Sequence, residues 1–250
     1  MNSAAPSPPP AYVGERIKRV PPADCDVMPT STPVVSFGDP GGARVATLGL
    51  NPSRIEFEER GVELDGRLRR FETLKSLGLA SLADAPDDLV DRVWQRCASY
   101  FDGNPYMKWF SRLEEMLGGV GASYLDGSAC HLDLSQWATD PTWNGLQPTA
   151  RARLVSEDVP FLKEQLRREE IALLLLNGRS VLREVVSHLG VTLRREQDVA
   201  DGSVNASVYT GTFAGMRVIG WSTNLQSSFG VTREFRQKLR ERLAELAAAA

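Results

Sequence analysis

Polar side chains close several apolar runs of this chain. Asn51 follows Val45 to Leu50, and Asp133 ends Cys130-His131-Leu132-Asp133. Asn177 follows Ile171 to Leu176, and Ser222 follows Met216 to Trp221. An amide orients a water or ligand without titrating, a carboxylate accepts from amines, and a hydroxyl does either. Gly49-Leu50-Asn51-Pro52-Ser53 therefore offers a side-chain amide where other α/β proteins place a glycine-rich phosphate cradle. Each residue also has a plain structural reading. Asn51 is a turn residue before a proline, Asp133 a helix cap or an arginine partner, and Asn177-Gly178 a matter of backbone geometry.

The elements that carry these residues follow from the hydrophobic pattern. Val45 to Leu50 and Ile171 to Leu176 are continuous apolar runs of strand length, as in buried parallel strands. Ala122 to Leu134 also reads as a strand. Val208 to Phe213 and Met216 to Trp221 form a hairpin turned at Ala214-Gly215. Ser53-x-x-Glu56 fits a capping box. Helices are expected over Leu68 to Leu82, Asp87 to Tyr100, Ser156 to Arg168 and Ser180 to Leu189. Another begins at Asn104-Pro105 and stops at Gly118-Gly119, and a last one is capped by Thr232. Strands alternating with helices predict an α/β fold, three-layer α/β/α, around a mainly parallel sheet of about four strands. The polar tips then share the carboxyl edge of the sheet, where open α/β sheets bind ligands.

The chain has 250 residues, 42% hydrophobic and 24% charged, enough for one sizeable core. Residues 1–40, rich in Pro, Ala and Ser, read as a loosely ordered arm, and 41–250 as a single domain. No run is long and apolar enough for a secretory signal or a membrane span. Cys25, Cys97 and Cys130 are odd in number and far apart, which fits neither a disulfide framework nor a metal site and suggests a reducing, cytoplasmic location. A net charge of −3 argues against a generic nucleic-acid coat, although Arg67, Arg69, Arg70 and Arg151, Arg153 are local basic clusters.

The order of these motifs resembles the uracil-DNA glycosylase superfamily over roughly Val45 to Val231. Gly49-Leu50-Asn51-Pro52-Ser53 is similar to the G-x-N-P-G motif of its mismatch-specific and single-strand-selective branches. The resemblance implies that Asn51 holds the water that attacks the sugar C1′, where an oxocarbenium-like transition state needs positioning more than full deprotonation. It places Asp133, with His131, where an asparagine reads the base in the C-x-x-H-N segment. A carboxylate there accepts from the exocyclic amine of cytosine but repels uracil O4.

The last motif departs from the family. Trp221-Ser222-Thr223-Asn224 stands where a histidine is usual, so Ser222, Asn224 or His131 is left to assist the departing base, and Leu225 matches the wedge leucine. His188 reads as structural. Phe57 or Phe71 would stack on the base, with Trp137 and Trp143 as pocket walls and Asn177 nearby. Ser53, Arg54, Arg179, Thr223, Gln226, Ser227 and Ser228 would touch DNA, with Arg233 as a weaker candidate.

No lysine stands in a motif position, so the expectation is a monofunctional, metal-free and cofactor-free glycosylase with water as nucleophile. It would act as a monomer on single- or double-stranded DNA, without a membrane partner. A modified cytosine, as in phage DNA, is the favoured substrate, with defence as the corollary. Three alternatives remain: excision of uracil or another deaminated base, a catalytically silent glycosylase-fold DNA-binding protein, and an unrelated α/β enzyme of free nucleosides or nucleotides.

Overall fold

A computed structural model describes residues 8–226 and 229–249. The fold is α/β, with a mixed central sheet of six strands where about four were expected. In chain order these are β1 (Val45–Gly49), β2 (Ala129–Asp133), β3 (Leu173–Asn177), β4 (Arg194–Arg195), β5 (Val208–Phe213) and β6 (Met216–Trp221). Their spatial order is β2-β1-β3-β6-β5-β4.

β1 pairs parallel with β3 through Val45–Leu173, and β3 pairs parallel with β6 through Leu173–Arg217. Every residue of β1, β2 and β3 is buried, as strands covered on both faces require. β6 then turns back on β5 through Met216–Phe213, and β4 adds a short antiparallel edge. The hairpin turn needs two residues at positive φ, which Ala214 (49°) and Gly215 (89°) supply. The extra strand and the antiparallel edge make the sheet mixed, and the arrangement remains compatible with three layers.

The chain comprises two compact units. The first comprises the chain up to Asp39, Leu50–Pro105 and Asp133–Leu162; the second comprises Pro40–Gly49, Tyr106–Leu132 and everything from Lys163 onward. The second unit holds the sheet, α3 (Met107–Leu117), α5 (Arg179–Glu184) and α6 (Arg233–Ala248); the helix α4 (Pro148–Arg168) begins in the first. Phe110, Leu113, Met116 and Leu117 of α3, and Phe235, Leu239 and Leu243 of α6, form buried stripes at helical spacing, whereas Trp109 and Leu246, which the same spacing puts inward, are only half-buried. Thr232 caps α6, its hydroxyl accepting from Phe235 N at 3.0 Å.

Within the first unit, residues 8–39 are built into the fold. From residue 8 to Asp39 the chain is packed, with α1 (Ala11–Ile17) lying on α2 (Asp87–Ala98). Val13 and Ile17 are fully buried, and so is Arg16, whose guanidinium donates to Asp158 at 2.8 Å and Gln136 at 3.1 Å while covering the Trp137 ring.

Two helix expectations also fail. Over Leu68 to Leu82 only Leu74–Leu77 is helical, because Thr73 caps it and Gly78 (φ 69°) ends it. Asn104 caps nothing: its amide donates to Leu68 O, and α3 starts after Tyr106. Conversely, α4 begins at Pro148 rather than Ser156, since proline suits the first helical turn.

Candidate functional site

The loop leaving β1 is built against the loop leaving β2, within the first unit. Ser135 N donates to Leu50 O at 2.9 Å, and Ser53 bridges Thr139 in parallel fashion. Between these two ties stands Asn51, half-buried. Its Nδ2 donates to Trp137 O at 3.1 Å and to Thr139 Oγ1 at 3.0 Å. A carbonyl only accepts, so the amide orientation is fixed by chemistry and Oδ1 faces the other way. The site thus presents an acceptor that is held in place and cannot titrate.

The scaffold behind it is long-range. Met28 N donates to Ala138 O, Val34 N to Gln136 O and Asp140 N to Asp26 O, so the N-terminal segment runs along the loop that holds Asn51. Asp158 carries the Arg16 ion pair and also accepts from the Ser135 hydroxyl, which locks Ser135 to Trp137 beneath the loop. Trp137 is fully buried under Arg16, and Trp143 is buried in the short turn Trp143–Gly145. Both tryptophans are buried and present little surface to a base.

Phe57 and Phe71 are core residues. Phe71 stacks on Tyr100 (centroids 5.0 Å, 15°), meets the edge of Phe37 at 5.2 Å and leans on Phe57 at 5.7 Å. Only 2% of either phenylalanine is exposed, so the expected base-stacking face is already occupied. Tyr100 carries a polar consequence: its hydroxyl donates to Glu56 Oε2 at 2.7 Å, and Arg70 Nε lies 3.8 Å from the same carboxylate.

Burial pushes the Glu56 carboxyl up to about 7, against the pull of Tyr100 and Arg70 and with the help of the Asp133 charge. A buried carboxyl that exchanges its proton near neutrality, within electrostatic reach of Asp133, is a feature the sequence does not disclose. Glu56 reads there only as the far half of a capping box, whereas Ser53 alone does the capping, accepting from Ile55 N. Arg70 and Arg69 are engaged as well, Arg70 with Ile55 O and Asn104 O, Arg69 with Asp65 and Glu72. Arg153 pairs with Glu157, whereas Arg151 donates to the carbonyls of Trp143 and Asn144. Arg54 bonds Asp140 and Glu58 but stays half-exposed.

In the second unit Asn177 is the hub of the loop after β6. Its Oδ1 accepts from Trp221 Nε1 at 2.9 Å and Leu225 N at 3.1 Å, and its Nδ2 donates to Gln226 Oε1. Asn177 therefore organises a loop instead of touching a base. Gly178 follows at φ 97°, and a Cβ there would come within 3.1 Å of Asn224 Cβ, so this position requires glycine. Ser222 Oγ accepts from Ser207 N at 2.9 Å, Thr223 donates to Asn205 O at 2.8 Å, and Gln226 Nε2 reaches Trp109 O. Thr223 and Gln226 thus hold the loop together and are not free for phosphate. Asn224 is exposed, and its Oδ1 accepts from Gln226 N at 2.9 Å.

The wedge expectation is corrected too. Leu225 is buried at 4% exposure, pinned through its own N–H, while Phe229 in the same loop is fully exposed. Ser227 and Ser228 lie outside the described residues. Arg179 and Arg233 are exposed. His131 is enclosed: Nδ1 lies 2.6 Å from Thr47 Oγ1, which bonds Tyr124 OH, and Trp109 and Phe110 meet its ring edge to face. It belongs to the core of its unit, not to a base. His188 pairs with Glu184 at 3.1 Å, in keeping with a structural role.

Among the described residues no three His, Cys, Asp or Glu side chains gather to hold a metal ion, and no helix is long and apolar enough to cross a membrane. No protein-family model matches this sequence, and comparison with curated proteins finds no match either.

Proposed function

We propose that this protein is a monofunctional DNA glycosylase, of the uracil-DNA glycosylase kind, that hydrolyses the N-glycosidic bond of a flipped noncanonical base. The observation that carries the reading is the locked amide of Asn51 at the carboxyl end of β1. Its Oδ1 accepts a hydrogen bond from a water and aims the oxygen lone pair at C1′. The C1′–N bond breaks with its electron pair leaving on the base; the sugar gains the hydroxyl and the base gains the proton. Positioning rather than deprotonation suits an oxocarbenium-like transition state.

The departing base carries negative charge. Its stabilisation calls for a hydrogen-bond donor at the leaving base. In the second unit, taken by itself, Phe229 is the exposed apolar side chain of the loop after β6, and it is proposed as a DNA-inserting side chain in place of Leu225. Asp133, itself only 4% exposed, is proposed to accept from the exocyclic amine of a base seated against it, which favours a cytosine-type base. Sparing ordinary cytosine then calls for a second requirement, and a 5-substituent meets it; hence a modified cytosine, with defence against phage as the corollary.

The test is base release, followed by mass spectrometry, from single- and double-stranded DNA carrying uracil or 5-modified cytosines. Abasic sites from uracil alone would sink the modified-cytosine assignment. A second reading, a silent DNA-binding protein, draws on one observation: the loop after β6 carries no histidine and His131 is spent on Thr47. It predicts DNA binding without release from any substrate.

A further inference from the structure

On the second unit a cavity of about 380 Å³ opens beside α5. One part of its wall is apolar: Leu182 and Val186 from the helical segment, Leu193 from the chain entering β4, and the ring of Tyr209. Val186 is 46% exposed, an unusual amount of aliphatic surface facing a concavity. The rim is basic. Arg179 and Arg183 stand one turn apart on α5, so their guanidinium groups share a face. Arg183 has an exposed pair with its neighbour Glu184, a contact of little worth, and no carboxylate is bonded to Arg179 among the described residues.

The helix itself is altered here. α5 gives way at Val185–Leu189 to a π-helical turn, closed by Gly190 at φ 75°. Such wide turns are rare and cluster at functional sites. This one carries Val186 and Ser187 of the cavity wall.

We propose that this cavity binds one nucleotide unit: a phosphate on Arg179 and Arg183, with the sugar and base against Leu182, Val186, Leu193 and Tyr209. The size supports a single unit, since ligand pockets run from about 300 to 1,000 Å³. An arginine fork fits a phosphate monoester or diester, and an apolar wall with one aromatic ring accepts the π-face of any base. The proposal does not depend on glycosylase activity. A free nucleotide and a nucleotide within a strand offer the same chemistry.

The experiment titrates the full chain with deoxythymidine 5′-monophosphate by calorimetry, beside thymidine and inorganic phosphate as separate probes. The expected result is saturable binding of the nucleotide, with each fragment at least about tenfold weaker, because both halves of the pocket contribute. Val186→Trp, at a partly exposed position that tolerates bulk, fills the cavity and abolishes binding; Arg179→Gln weakens it about tenfold. Circular dichroism of both variants shows that they fold. Competition by a short oligothymidylate identifies the strand as the source, and its failure to compete identifies the free nucleotide. No binding at millimolar nucleotide, or binding unchanged in folded Val186→Trp, overturns the proposal. If no DNA yields a base while nucleotide binding is present and lost in Val186→Trp, the glycosylase reading fails and the pocket stands.

Discussion

Replacing Glu56 by glutamine isolates the most unusual electrostatic feature of the first unit. The carboxyl is almost wholly buried, accepts from Tyr100, lies near Arg70 and feels the Asp133 charge; its pKa rises from an ordinary 4.5 to about 7. Between those two values the folded chain keeps a proton that the unfolded chain has lost. The stability from this group is therefore fully present below pH 4.5 and is lost as pH rises through about 7. The loss amounts to about 3 kcal/mol, at roughly 1.4 kcal/mol per pH unit. Glutamine is neutral throughout and still accepts from Tyr100. Glu56→Gln should thus match the wild type at pH 4.5 and exceed it by up to about 3 kcal/mol at pH 8. Urea unfolding followed by tryptophan fluorescence, at several pH values, measures this; the difference between the two proteins cancels every other titrating group. A difference that stays constant from pH 4.5 to 8 refutes the reasoning. Tyr100→Phe offers a check of opposite kind, since removing the donor moves the loss of stability to higher pH.

Other consequences can be measured independently. Arg16→Met should cost about 3–5 kcal/mol in unfolding experiments, because it leaves Asp158 buried without its cation; an unchanged stability contradicts the scaffold described for the Asn51 loop. Phe229→Ala should weaken duplex binding and base extrusion about tenfold, read by 2-aminopurine fluorescence, without lowering stability. Leu225→Ala should do the reverse, costing about 2–5 kcal/mol of stability as a buried leucine. Equal effects of the two on extrusion count against Phe229 as the wedge.

The sheet was largely legible because its signals are local. Continuous apolar runs mark β1 and β3, Ala214-Gly215 marks the hairpin, and Thr232 marks the start of α6. The first unit was hidden because its cohesion is not local. α1 is a short segment whose burial depends on Arg16 meeting Asp158, 142 residues away, and proline-rich composition points to disorder when that partner is out of view. Phe71 and Tyr100 are equally uninformative in isolation, and only their stacking shows that neither is open to a base.

The candidate site divides the same way. Asn51 could be chosen from its place at a strand end, yet the direction of its amide depends on Trp137 O and Thr139. Leu225 and Phe229 are both apolar residues of one polar loop, and the hydrogen bond from Leu225 N to Asn177 turns the first inward. Glu56 has no sequence signal beyond its spacing from Ser53, because its burial under Tyr100 comes from a distant aromatic cluster.

The central claim concerns Asn51, and one measurement addresses it most directly: release of free base from DNA carrying 5-modified cytosine, compared between wild type and Asn51→Ala under single-turnover conditions. The account predicts release by the wild type and a drop of at least about a hundredfold in the variant, with DNA affinity unchanged, since the amide positions the water and not the strand. Release at the wild-type rate by Asn51→Ala contradicts it.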